Sequence, residues 1–235
     1  YQFVFTINFF PAISEICNIY KIPYLSLIVD SPVMELYSNA VLNPCNRIFL
    51  FDRALYDEFA PYNPSCIFHL PLATNVARWD DVLNHASKSN QEHFSAEISF
   101  IGSLYSEKCP YYQLRFPDTY QKGYIDGLLH AQEKVYGYFF LEESIPDAMA
   151  DAIIAATPDF YRFPELSRHA TKEALCQMYL GARVTEMERM DVLRALGAQF
   201  DVSLYSGSSA DSLPVRFCGR VRTHTEMPLV FANSR

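Results

Sequence analysis

The residues that could do chemistry in this sequence fall just after short apolar runs. Asn8 follows Phe3–Ile7, Asp30 and Ser31 follow Tyr24–Val29, Asp52 follows Arg47–Phe51, and His69 and Thr74 lie within and beyond Cys66–Leu70. A carboxylate at the end of such a run, beside a Ser-Pro turn, can bind a hydroxyl or act as a general base, which is one reading of Asp30. The other is a turn former, since Asp and Ser bond their own backbone in turns. Asp52 is either a ligand contact or the N-cap of a helix. His69 is either an acid/base group or a half-buried imidazole tied to a carbonyl, and Asn8 either meets a ligand or closes a turn. Farther along, Gly102-Ser103 and Gly207-Ser208-Ser209 follow two more apolar runs. Glycine there lets a ligand approach the backbone closely, although many strand–loop junctions carry glycine without a ligand.

Several signatures are missing. The sequence has no G-x-G-x-x-G and no P-loop, which removes support for dinucleotide and NTPase chemistry. It has no H-E-x-x-H and no G-x-S-x-G elbow. His224-Thr-Glu226 has the H-x-E form of a zinc deaminase but no P-C-x-x-C partner. The six cysteines form no C-x-x-C pair, so they read as reduced, mostly buried thiols, and neither a metal nor a cofactor is expected. A net charge of −8 argues against nucleic acid or an anionic membrane as the main partner. No apolar run approaches the roughly 18 residues of a membrane span, and no signal peptide is visible, so a cytoplasmic protein is expected.

The first four apolar runs start at residues 3, 24, 47 and 66 and show little polar alternation. Such runs read as strands buried on both faces of a parallel sheet. The intervals carry helical signals. Pro11 suits a helix start, and Ile13, Ile16, Cys17 and Tyr20 make one stripe. Asp52 precedes a helix with Leu55 and Phe59 on one side, while Ser31–Asn46 is less regular and only partly helical. Strand–helix–strand units of this length predict an open, doubly wound α/β sheet, in which ligands bind beyond the carboxyl ends of the strands. Ala77–Glu97 is polar, with Lys88–Glu92 reading as a loop or linker, and sets a domain boundary near 85–95. A new strand follows at Ile98–Ile101. Residues 110–180 read as helices punctuated by Pro146, Pro158 and Pro164, and Thr185-Glu-Met-Glu188 as a capping box opening a helix that ends at Gly197. Strands at Phe200–Tyr205 and Val215–Cys218 and a helix from Thr225 complete the pattern. Both chain ends fall inside such elements, so truncation at both is expected.

One ordered set of segments covers most of the chain: Phe5-Thr-Ile-Asn-Phe-Phe-Pro11, Ile22-Pro-Tyr24, Val29-Asp-Ser-Pro32, Ile48-Phe-Leu-Phe-Asp-Arg53, Leu70-Pro-Leu-Ala73, Ser99-Phe-Ile-Gly-Ser-Leu-Tyr105, Asp201-Val-Ser-Leu-Tyr205, Cys218-Gly-Arg-Val221 and Glu226-Met-Pro228. It resembles the domain of unknown function in CgeB-like (spore maturation protein-like) proteins, a family that itself resembles group 1 glycosyltransferases of the GT-B architecture. The resemblance implies an α/β fold with Rossmann-like parallel sheets in a GT-B-type two-domain protein, both domains incomplete. Residues 1–90 would be the acceptor-side domain. Residues 97–235 would begin the donor-side domain, with a helical insertion at about 110–180. The implied activity is transfer of a sugar from a nucleotide-sugar to an unknown acceptor, without a catalytic metal. Asp30 and His69 would activate the acceptor hydroxyl. Gly102, Ser103 and Gly207 would approach the donor phosphates, and Asn8, Ser31, Asp52 and Thr74 would contact substrate. The alternative is a GT-B-like binding or scaffold module without turnover.

Overall fold

The computed structural model describes residues 2–160 and 168–234; Tyr1, Pro164 and Arg235 lie outside them. The chain begins β1 (Val4–Ile7), α1 (Pro11–Tyr20), β2 (Tyr24–Ile28), two 3₁₀ turns (Met34–Tyr37 and Asn39–Leu42), β3 (Asn46–Leu50), α2 (Arg53–Phe59) and β4 (Ile67–His69). It continues with α3 (Val76–Asn84), α4 (Lys88–His93), β5 (Ile98–Ile101), α5 (Thr119–Gln132), α6 (Leu141–Ser144), α7 (Asp147–Ala156) and α8 (Arg168–Ala174). A π turn (Leu175–Leu180) leads into α9 (Gly181–Gly197), followed by β6 (Val202–Tyr205), β7 (Arg216–Gly219) and α10 (Met227–Ala232). The protein is therefore α/β with two parallel-stranded sheets.

Two compact units divide the chain: Tyr1–Ala73 with Asp159–Met178, and Thr74–Pro158 with Tyr179–Arg235. The first division lies between Ala73 and Thr74, ahead of the polar stretch at 85–95. That stretch is not a linker. Lys88–His93 is helical, with the Ser87 hydroxyl accepting the Asn90 N–H at 3.1 Å. Leu83, Ala86 and Phe94 pack with Leu229 and Val230 of α10 into one apolar cluster.

In the first unit the strand order is β1-β2-β3-β4, all parallel. Because the order never reverses, right-handed crossovers put every connection on the same face. The sheet is thus not doubly wound among the described residues, and its strands are not buried on both faces. Tyr24, Ile28, Ile48 and Leu50 on the covered face are 0% exposed. Phe5, Ile7 and Phe68 on the other face are 53%, 49% and 38% exposed. The covered face meets α1, α2 and the 3₁₀ turns through Cys17, Leu36, Val41, Leu55 and Phe59. Each fully buried Ile or Leu there contributes about 1.5–3 kcal/mol.

Helix α1 follows its predicted bounds but not its predicted stripe. Ser14 and Cys17 are buried, whereas Ile16 and Tyr20 are exposed. The helix is turned by a polar lock: the Ser14 hydroxyl donates to Asn46 Oδ1 at 2.7 Å, and Asn46 Nδ2 donates to the Ala40 carbonyl at 2.8 Å. Asn46 is fully buried, so these bonds replace the water it gives up. Ser26 has no such compensation: it is 0% exposed on the covered face, and its hydroxyl finds no partner among the described residues. Ser26→Ala is expected to raise stability by about 1 kcal/mol, because an orphaned buried hydroxyl costs roughly that much. Urea denaturation checks it; a loss of stability would reveal a partner for the hydroxyl.

In the second unit β5, β6 and β7 are parallel, with β6 central and buried throughout. The chain between β5 and β6, which carries α5 to α9, supplies the crossover. Helix α9 starts at Gly181, four residues before the predicted capping box. Thr185 is already inside it, and its hydroxyl donates back to the Gly181 carbonyl at 3.0 Å. The preceding helical turns already occupy the N–H groups that a cap would satisfy.

Candidate functional site

The strand ends of the first unit bring the predicted residues into one hydrogen-bonded rim. Asn8, just past β1, adopts the left-handed conformation (φ 62°). Its Oδ1 accepts the Val29 N–H at 3.0 Å and its Nδ2 donates to Asp30 Oδ2 at 2.5 Å. The next residue, Ser31, donates its hydroxyl to Asp52 Oδ2 at 2.8 Å. Asp52 Oδ1 accepts the Ala54 N–H at 2.8 Å and caps α2. Asp52 is thus committed to the helix and to Ser31, whereas Asp30 is an exposed carboxylate steadied by one amide. His69 ends β4, half-buried, with its ring 5.6 Å from that of Tyr56. The rim offers a carboxylate, an amide, a hydroxyl and an imidazole at adjacent strand ends, a set able to hold and deprotonate a hydroxyl.

The second unit has its own rim. After β5, the Gly102 N–H donates to the Tyr205 carbonyl at 3.0 Å, and the Ser103 hydroxyl accepts the Tyr105 N–H at 3.0 Å. The Leu104 N–H donates to the buried Ser208 hydroxyl at 3.1 Å, stitching the loop after β5 to the loop after β6. Glu107 lies beside Ser208. Its own backbone N–H and the Ser208 hydroxyl hold its carboxyl below the usual range. Two guanidiniums reach these loops. Arg189 of α9 donates to the Ser103 carbonyl and lies over the Tyr105 ring at 5.0 Å. Arg220, just past β7, lies against Gly207: a Cβ built there would sit 2.6 Å from Arg220 Nε. Gly207 is therefore where the Arg220 guanidinium comes close to the backbone.

Thr74 accepts the Trp79 Nε1–H at 2.7 Å and lines a pocket of about 530 Å³ between α3 and α10. The predicted residues thus fall into two sets: Asn8, Asp30, Ser31, Asp52 and His69 belong to the first unit, and Thr74, Gly102, Ser103 and Gly207 to the second.

A further, partly buried cluster in the second unit is structural. Glu186 is ion-paired to Arg183 at 2.8 Å and accepts the Tyr112 hydroxyl at 3.1 Å, while Arg183 Nη1 donates to that hydroxyl at 2.9 Å. Burial pushes the nearby Cys109 thiol up to about 11. Each group satisfies another, which fastens the turn at residues 110–113 to α9.

Sequence reasoning missed Arg189, Arg220, Ser208 as the bridge between loops, and the aromatic wall at Trp79. Arg220 was detectable as a basic residue directly after a strand-terminal glycine, and Trp79 as the sole tryptophan. Arg189 gives no such signal, because its role depends on how α9 packs.

These features define an α/β protein with two parallel sheets, each with a polar strand-end rim. No family model matches the chain, and neither the curated proteins nor the solved structures contain a match. Among the described residues no helix is long and apolar enough to cross a membrane.

Proposed function

We propose that the chain binds a nucleotide-sugar and serves glycosyl transfer, with the rim of the second unit taking the donor and that of the first an acceptor hydroxyl. What carries the reading is Arg220 lying against Gly207, beside the loop after β5 that Arg189 holds. Two guanidiniums at adjoining strand-end loops form the kind of cationic surface that receives a diphosphate, because the planar fork matches phosphate oxygens. Parallel sheets whose ligands gather at their carboxyl ends support the same reading, as does the resemblance to the GT-B architecture. On the acceptor side Asp30 is the base, with Asn8 fixing its orientation and His69 close to the acceptor.

A binding module without turnover is the second reading, favoured by one observation: of the two strand-end carboxylates, Asp52 is committed to the cap of α2 and to Ser31, which leaves the rim one free carboxylate. Isothermal calorimetry with UDP-, GDP- and TDP-sugars tests the proposal. One of them should bind, and Arg220→Ala should weaken it about ten- to a hundredfold, the effect of one charge-assisted hydrogen bond. Absence of binding to the whole panel, or an Arg220→Ala protein that binds as tightly as the parent, would overturn it.

A further inference from the structure

The pocket between α3 and α10 lies outside both rims. Its lining is Trp79 and Leu83 from α3, Met227, Pro228, Phe231 and Ala232 from α10, and Thr74. At about 530 Å³ it is of ligand size, since small-molecule sites span roughly 300–1,000 Å³. The Trp79 indole N–H is donated to the Thr74 hydroxyl, and the other lining side chains are apolar. Such a lining favours an occupant whose body is apolar.

One lining residue carries charge against it. The Arg78 guanidinium lies over the ring of Trp79 at 5.3 Å, and among the described residues no carboxylate pairs with it. The His224 imidazole lies nearly parallel to the indole, at 11° and 6.5 Å between centroids. A guanidinium stacked on the tryptophan of the lining adds positive charge beside an apolar surface. It complements a negative head group on an apolar body.

We infer that this pocket binds a small single-chain anionic amphiphile, an acyl carboxylate, with its chain between α3 and α10 and its head at Arg78. The inference goes beyond the donor and acceptor rims, and neither depends on the other. Trp79 is the only tryptophan, so its emission reports this pocket and no other place in the chain.

The test titrates the protein with dodecanoate, dodecanol and dodecyltrimethylammonium below their micellar concentrations and follows tryptophan emission. Dodecanoate should shift the emission saturably, at about tenfold lower concentration than the other two. Arg78→Gln should erase that tenfold preference while the alcohol's weaker binding persists. Ala232→Phe, at an exposed position on the lining, should fill the pocket and abolish every shift while leaving the thermal melt unchanged. The inference is overturned by the absence of any shift, by equal response to the three amphiphiles, or by a dodecanoate response that survives Ala232→Phe in the folded protein.

Discussion

Under the proposed function, Asp30→Asn is expected to lower glycosyl transfer by about 10²- to 10⁴-fold, the range associated with losing a general base. The substitution is clean because of how the carboxylate is held. Asn8 Nδ2 donates to one Asp30 oxygen at 2.5 Å, and asparagine can turn its own carbonyl oxygen toward the same donor. The turn, the Ser31–Asp52 bond and the cap of α2 then survive, and only the ability to accept a proton is lost. The thermal melt and the calorimetric affinity for the donor should match those of the parent. Steady-state kinetics with the nucleotide-sugar that binds is the check. An unchanged turnover number would remove Asp30 from the chemistry and leave the rim as a binding surface.

Gly197→Ala carries the largest expected effect on stability, a loss of about 2–3 kcal/mol, as forced overpacking against backbone typically costs. Gly197 ends α9, where a Cβ would lie 2.3 Å from the Pro214 carbonyl oxygen and 3.0 Å from its carbonyl carbon. Backbone cannot swing away as a flexible side chain can, so the loop before β7 or the end of α9 must shift. Gly123 is the control: it sits in α5 with nothing within 4 Å of where a Cβ would stand, and alanine there should gain about 0.5–1 kcal/mol. Urea denaturation of the two variants measures both signs. A Gly197→Ala protein as stable as the parent would mean that α9 and residue 214 are not in this contact.

Strands and their parallel pairing were legible because their signals are local. The runs Phe3–Ile7, Tyr24–Val29, Arg47–Phe51 and Cys66–Leu70 each became a strand to within a residue or two at either end. The rim of the first unit was legible for the same reason: polar residues directly after parallel strands converge whatever else the chain does. What local pattern could not supply was which face is covered. Apolar runs such as Tyr24–Val29 look alike whether one or both faces are packed, and the outcome depends on strand order, a property of the whole sheet. The stripe of α1 failed similarly, since apolar spacing favoured Ile16 and Tyr20 while the buried bond between Ser14 and Asn46 decided the rotation. In the second unit the glycines marked the loops after β5 and β6, but the groups that meet them, Arg189 and Arg220, come from elements distant in sequence or beyond the next strand.

The two sheets also surrender chain entropy on different schedules. Neighbouring strands of the first sheet pair residues about twenty positions apart, as in Val4 with Tyr24, whereas β5 meets β6 across about a hundred residues, Ile98 with Val202. A fivefold longer loop costs roughly 1.4 kcal/mol more to close, and no stabilising contact between those strands is made until it closes. The first sheet can thus assemble stepwise from nascent neighbours. The second waits for the chain between β5 and β6 to condense and carry β6 back to β5, which makes that connection a determinant of folding rate.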